Sequence, residues 1–258
     1  MKSTKLVLAG AAAMMMGGAA AAAADTVKIG IAAEPYPPFT FPDSEGNWQG
    51  WEVEIIDAIC DAAGLDCELE ATSWDGIIPA LLSQRIDAIM NSMSITEDRL
   101  QVIDFSDPYY NTPTVIVAAK DMDIEPTPEG LAGMVLGVQV ATIHQTYAQE
   151  YFEGETTLRT YQTQDEANQD LVSGRIDATQ ADSLAMEAFL ESDAGACCEI
   201  KGAVAHDESI LGAGVGAGVR QGDDELREAI NAGLAQILED GTYDEITDRY
   251  FATSIYGN

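Results

Sequence analysis

Positive charge is what this chain has least of. Lys and Arg number 12 against 44 Asp and Glu, giving a formal charge of −32 at pH 7, and there are only two histidines. So strong an acidic balance excludes nucleic acid and anionic membrane surfaces as partners. Dispersed acid of this kind reports solvation in salty surroundings more readily than a binding site. Cysteine is also sparse, at four residues. Without a spaced second Cys or His pair, no metal site is expected, and no cofactor motif is present. The glycine-rich stretch 211–219 lacks the Lys-Ser/Thr that would make it a phosphate loop, so it reads as a strand crossing between two halves. Beyond residue 24 no apolar run is long enough to cross a membrane.

The first 24 residues differ from the rest. Lys2 and Lys5 precede an Ala/Met/Gly-rich apolar stretch that ends in Ala22-Ala23-Ala24, the pattern of a cleaved secretory signal. The competing reading is an N-terminal anchor spanning 6–24. No cysteine adjoins the cleavage point, which argues against a lipid-anchored mature end. Cleavage leaves a mature chain starting near Asp25 with a charge near −34. In an exported chain, Cys60 at the end of a helical pattern and Cys67 at the start of the next strand, with a turn at Gly64 between them, read as a disulfide. Closing so short a loop stabilises by roughly 2–3 kcal/mol. Cys197-Cys198 remains open between a vicinal disulfide, a free pair and an intermolecular link.

The run Asn91-Ser92-Met93-Ser94-Ile95-Thr96-Glu97-Asp98-Arg99 carries the strongest functional signal. A strand over 85–90 precedes it, and Ser94 and Glu97 have capping-box spacing, so a helix is expected to start there with backbone N–H groups open to an anion. Arg99 adds a bidentate fork and Ser92 and Ser94 add hydroxyls, a set suited to a free carboxylate. A second copy lies ninety residues on: Ser83-Gln84-Arg85-Ile86-Asp87-Ala88 recurs as Ser173-Gly174-Arg175-Ile176-Asp177-Ala178. Two related halves follow, each an α/β lobe of roughly a hundred residues. In the second copy Asp182 stands where Ser92 stands in the first. One lobe then offers donors and the other a carboxylate, which fits a zwitterion held between them.

Other site candidates lie at strand ends. The strand 27–31 leads into Glu34-Pro35-Tyr36-Pro37-Pro38-Phe39, which cannot be helical, so Glu34 and Tyr36 sit where open α/β sheets place ligands. A helix over 52–63 has a core face of Val53, Ile56, Ile59, Cys60 and Ala63, and Trp51 is expected in the core. The strand 67–71 and a helix over 75–83 put Trp74 at the mouth of the same cleft. The apolar run 114–119 is expected to cross between lobes. The next strand-to-loop signal, 135–142, ends at Thr142, and the helix that follows carries His144, Gln145 and Tyr147. Helices over 223–240 and 243–251 close the chain.

With Tyr36-Pro37-Pro38-Phe39, Gly50-Trp51-Glu52, the Cys60/Cys67 pair, Trp74-Asp75-Gly76-Ile77-Ile78-Pro79, Ser92-Met93-Ser94-Ile95-Thr96, Asp104-Phe105-Ser106, Asp182 and Asp240-Gly241-Thr242-Tyr243 in place, the chain resembles the periplasmic amino-acid-binding proteins of ABC importers, nearest to the lysine/arginine/ornithine- and histidine-binding group. The resemblance implies the two-lobe α/β fold of type II periplasmic binding proteins. Lobe 1 would be 25–112 plus 213–258 and lobe 2 would be 113–212, joined by two crossing strands. It implies a monomer that closes on one amino acid by a hinge and docks on a membrane permease, with a chemoreceptor as a further candidate partner.

By position, Arg99, Ser94 and the backbone at Ser92 and Thr142 would take the α-carboxylate. Asp182 and Ser92 would take the α-ammonium, Tyr36 and Trp74 would sandwich the side chain, and Glu34 would meet its terminal cation. Departures lie at the side-chain end: a different loop length before Tyr36, Asn91 for serine, Gln139 for leucine, Ala141 for glycine and His144 for glutamine. They admit a polar amino acid or an opine as ligand. A periplasmic dehydratase on the same fold is the enzymatic alternative, but neither His144 nor Glu34 has a partner in sequence to tune it, and no enzyme is expected.

Overall fold

The computed structural model describes residues 26–257; the segment read as a signal lies outside them. The first lobe opens with β1 (Val27–Ala32), the short hairpin strands β2 (Phe41–Pro42) and β3 (Trp48–Gln49), and α1 (Trp51–Ala63). The chain enters α1 at Gly50, φ 123°, where a Cβ would lie 2.3 Å from the Phe39 carbonyl oxygen, so only glycine fits. After β4 (Cys67–Thr72) come a 3-10 turn at Trp74–Gly76, α2 (Ile77–Leu82), β5 (Ala88–Ile89), α3 (Glu97–Leu100) and β6 (Ile103–Phe105).

The second lobe runs β7 (Thr114–Ala119), β8 (Val135–Gln139), α4 (Ile143–Tyr151), β9 (Thr157–Tyr161), α5 (Gln164–Val172), β10 (Ala178–Asp182), α6 (Ser183–Glu191), β11 (Cys198–Ala203) and α7 (Glu208–Leu211). The chain then returns through β12 (Gly218–Arg220), α8 (Asp224–Glu239) and α9 (Thr242–Thr247).

The two five-stranded sheets follow one plan. The first has the order β4-β1-β5-β12-β6 and the second β9-β8-β10-β7-β11. Each has three parallel strands and then an antiparallel strand that has come across from the other lobe. The repeated Ile-Asp-Ala does the same job twice: Asp87 accepts from the Lys28 N–H at 3.1 Å and Asp177 from the Val135 N–H at 2.7 Å, fixing the start of the neighbouring strand. The residue before each repeated arginine, Gln84 or Gly174, takes the left-handed conformation that ends the preceding helix, with φ of 61° and 68°.

Apolar alternation on the strands and the inner stripe of the helices bury a core in each lobe. In lobe 1, Trp51 is fully buried against the edges of Phe39, Tyr110 and Tyr243, with its indole N–H on Thr247 Oγ1 at 3.1 Å. In lobe 2, Ile116, Leu136, Val138, Tyr147 and Phe152 form the larger cluster. Cys60 and Cys67 are joined as a disulfide across a Cα separation of 6.2 Å, tying α1 to β4. Cys197 and Cys198 are joined to each other.

Several local expectations are corrected. The ladder part of 85–90 is only Ala88–Ile89, because the turn after α2 extends through Gln84. Ser94 does not cap a helix. It bridges to Val215 on the returning chain, and Thr96 is the cap of the one-turn α3, accepting from the Arg99 N–H at 3.3 Å. The apolar run 114–119 is a strand within the second sheet, so the crossing lies just before it. The return over 211–219 is strand only at its end: Leu211 closes α7, and Val215 bridges to both Ser94 and Tyr110 in passing. The helix expected over 75–83 begins instead with the 3-10 turn at Trp74–Gly76. The last helix stops at Thr247. Among the described residues no helix is long and apolar enough to cross a membrane.

Candidate functional site

The C-terminal ends of β1, β5, β8 and β10 face the gap between the lobes, where open α/β sheets place ligands. A cleft of about 570 Å³ lies there. It gathers Glu34, Tyr36, Trp74, Asn91, Ser92, Ser94 and Arg99 from one lobe and Gln139, Thr142 and Asp182 from the other, with His144 and Gln164 alongside. The lobes touch across it: the Tyr36 hydroxyl donates to Asp182 Oδ2 at 2.6 Å, and the Trp74 indole N–H donates to the Ala141 carbonyl at 3.1 Å.

Asp182 ends β10 and projects from the second lobe. Thr112 donates to its Oδ1 at 3.1 Å, and His144 Nε2 stands 3.6 Å from Oδ2. Burial works to raise this carboxyl. The nearby His144 and hydrogen bonds from His144, Tyr36 and Thr112 outweigh it and hold the acid below its ordinary value. Asp182 is therefore an anion at neutral pH. Burial, the Asp182 charge and their hydrogen bond all push the Tyr36 phenol far up, so Tyr36 stays a donor.

Opposite this acid lies the basic end. The Arg99 guanidinium donates through Nη1 to the Ser94 carbonyl at 2.8 Å and lies 5.6 Å from the centre of the Trp74 ring. Burial draws its pKa down to about 10, with attraction to Asp182 opposing the shift, so it remains a cation at neutral pH. Thr142 caps α4: its hydroxyl accepts from the Gln145 N–H at 3.1 Å and donates to the Gln139 carbonyl at 2.7 Å.

Ser92 departs from expectation. Its φ of 51° turns the N–H inward, onto Glu52 Oε1 at 2.7 Å, and its hydroxyl donates to Glu52 Oε2 at 3.2 Å. The Ser92 N–H therefore has a carboxyl oxygen within the protein already and is not open to a ligand carboxylate. Asn91 is likewise tied inward, its Oδ1 accepting from the Ala32 N–H and joining the ends of β1 and β5.

At the third corner, Glu34 accepts from the Trp74 backbone N–H at 3.2 Å, which ties its carboxylate to the start of the 3-10 turn. Gln139 donates to the Gln162 carbonyl at 3.1 Å. Among the described residues no three His, Cys, Asp or Glu side chains are gathered to hold a metal ion.

Three contributors escaped the sequence reading as members of the site: Glu52 behind Ser92, the pairing of His144 with Asp182, and Gln164. The signal for Glu52 was present. It sits four residues before Ile56 on the stripe of α1 that faces the core, where an acid is out of place without donors.

The family profile of bacterial extracellular solute-binding proteins, family 3, matches residues 27–253. The L-arginine-binding protein of Pseudomonas aeruginosa is 38% identical over 257 residues, covering 98% of this chain and 99% of its own. The histidine-binding periplasmic protein of Escherichia coli is 38% identical over 232 residues, 89% of each chain. Among solved structures, an ancestral arginine-binding protein bound to arginine superposes with a TM-score of 0.81 at 33% identity, over 88% of this chain and 98% of that one. A profile match over nearly the whole length, on a two-lobe fold with a charged cleft between the lobes, fixes the assignment: the chain belongs to the bacterial extracellular solute-binding proteins, family 3.

Proposed function

We propose that the protein captures a basic amino acid in the interlobe cleft by hinge closure and delivers it to an ABC permease. The observation that carries this is the order of charges: an aspartate, an arginine and a glutamate line one cleft, matching the ammonium, carboxylate and side-chain cation of arginine, lysine or ornithine one for one. Arg99 and Ser94, with the N-terminal backbone at Thr142, take the α-carboxylate. Asp182 and the Ser92 hydroxyl take the α-ammonium. Glu34 meets the distal cation, with Tyr36 and Trp74 flanking the aliphatic stem. Such a ring contact adds roughly 0.5–2 kcal/mol for a cation over its face.

The similarity to proteins named for arginine and histidine binding supports the same reading. Export with cleavage after Ala24, action in the periplasm, a hinge at 112/113 and 212/213, and a monomeric working state belong to this proposal. Docking of the closed form on a chemoreceptor is an added partner within it.

The test is calorimetric titration of refolded, ligand-free protein with arginine, lysine, ornithine, histidine, glutamine and octopine. A micromolar or tighter response, about 8 kcal/mol, confined to basic amino acids is expected. Binding only to glutamine or octopine would remove Glu34 as the cation partner, and no response in the panel would overturn the reading.

A further inference from the structure

Glu52 has no place in the ligand contacts described above, and its surroundings are unusual for an acid. It is fully buried in the first turn of α1. Three donors converge on it: the Ser92 N–H and the Tyr109 hydroxyl on one oxygen at 2.7 and 2.5 Å, and the Ser92 hydroxyl on the other at 3.2 Å. Among the described residues no basic side chain pairs with it. The charged and titratable groups that face it are Tyr36, Tyr109, Tyr110 and, across the cleft, Asp182. The three tyrosines are held protonated, chiefly by burial, so the acids at this end are Glu52 and Asp182. Their charges repel.

The geometry determines what Ser92 can do. A serine hydroxyl has one proton, and with Glu52 as a carboxylate that proton points at Glu52. Toward the cleft Ser92 is left with lone pairs, which suit an ammonium donor and not a carboxylate. An ammonium arriving between Ser92 and Asp182 also relieves the repulsion between the two acids and favours the ionised form of each.

We propose that Glu52 is a positioning residue for the ammonium end of the cleft: when a cation is captured between Ser92 and Asp182 it gives up its proton to solvent, and as a carboxylate it fixes the Ser92 hydroxyl as an acceptor. This rests on the amino-acid reading above. The balance is simple: a carboxylic acid becomes a carboxylate, the proton goes to the buffer, and the ligand's cation compensates the new charge. Burial first, and the Asp182 charge in the same direction, place the carboxyl at about 7 against the donors from Tyr109 and Ser92, so the free protein is partly protonated there. His144 stands 3.6 Å from Asp182 Oδ2 at the same end, and substitution at Glu52 separates its effects from those of Glu52.

The experiment is calorimetry of arginine binding from pH 6 to 8.5 in buffers of different ionisation heat, which counts protons released. In the unaltered protein a release is expected that is largest toward pH 6, falls to about half near pH 7 and fades above it, with affinity rising by up to about tenfold per pH unit below pH 7. Glu52→Gln should lose this release and the matching slope, and Glu52→Asp should restore part of it. Tyr109→Phe removes a donor to the ionised form, so the release should move to higher pH. This variant keeps the idea testable should Glu52→Gln fail to fold. Equal proton counts in Glu52→Gln and the unaltered protein, or an unmoved window in Tyr109→Phe, would overturn the proposal while leaving the receptor reading intact. Absence of binding to every basic amino acid would overturn both.

Discussion

The Tyr36 hydroxyl reaches across the cleft to Asp182 Oδ2 at 2.6 Å, so the acid of the second lobe has a partner from the first before any ligand arrives. A ligand ammonium must share or replace that bond. Because Asp182 is also held by Thr112 and stands beside His144, replacing it with asparagine removes a buried charge whose neighbours remain. Asp182→Asn is expected to weaken basic amino-acid binding at least about 100-fold, on the scale of 2–5 kcal/mol for one partner of a buried charged pair. Titration calorimetry checks this, and affinity within threefold of the unaltered protein would remove Asp182 from the ammonium site.

Arg99 makes the complementary case. Among the described residues its guanidinium is anchored by a bond to the Ser94 carbonyl, while its ring contact with Trp74 holds it across the cleft mouth. Arg99→Ala should cost affinity on the order of 3 kcal/mol or more and leave the melting temperature nearly unchanged. Arg99→Lys should recover only part of the loss, since an ammonium offers no planar fork. Full recovery by lysine would argue against a bidentate carboxylate contact.

Glu52 also makes a prediction about stability. Its folded value, about 7, lies above the ordinary 4.5, so between those values the native state keeps a proton that the unfolded chain has released. The contribution is fully present below the ordinary value and is lost as pH rises through about 7. The upper bound is on the order of 3 kcal/mol. The melting temperature of ligand-free Glu52→Gln, relative to the unaltered protein, should therefore rise between pH 5 and pH 8. A constant difference across that range would show that Glu52 ionises normally. Asp182, held low, acts in the opposite sense, but its contribution is lost only as pH falls through its folded value, below this window.

Gln84 occupies a left-handed position, φ 61°, where the second lobe has Gly174 at φ 68°. A non-glycine residue there costs roughly 1–2 kcal/mol, partly offset by the greater unfolded freedom of glycine. The side chain is exposed, so nothing packed is lost. Gln84→Gly should raise stability by about 0.5–1 kcal/mol in a urea titration. A destabilisation would mean that Gln84 makes a contact worth more than its backbone cost.

The fold was legible because the signals were redundant. The repeat of Ser-x-Arg-Ile-Asp-Ala predicted two like lobes, and the sheets are indeed built to one plan. The apolar periodicity of α1 and the turn at Gly64 gave the helix, the strand after it and the Cys60–Cys67 bond together. What failed was decided by contacts distant in sequence. Ser94 has every local mark of a helix cap, yet the returning chain at Val215 pairs with it and moves the cap to Thr96. The N–H of Ser92 looked open because nothing nearby in sequence reveals that Glu52, forty residues earlier, comes up beneath it. Asp182 was found through its register with Ser92, whereas His144 beside it was noticed only as a departure from the family pattern.

The shared sheet plan bears on the order in which the chain acquires structure as it is made. All five strands of the second sheet come from one uninterrupted stretch, so that lobe can complete itself as soon as its last strand appears. The first sheet cannot: among the described residues β6 pairs only with β12, and β12 comes from after the whole second lobe. Until residues 218–220 arrive, β5 and β6 are two unjoined edges with the aromatic core around Trp51 still lacking α8 and α9. The half of the protein that begins first is therefore the half that finishes last, and the bare edges of β5 and β6 mark where an arrested or shortened chain would stick to its neighbours.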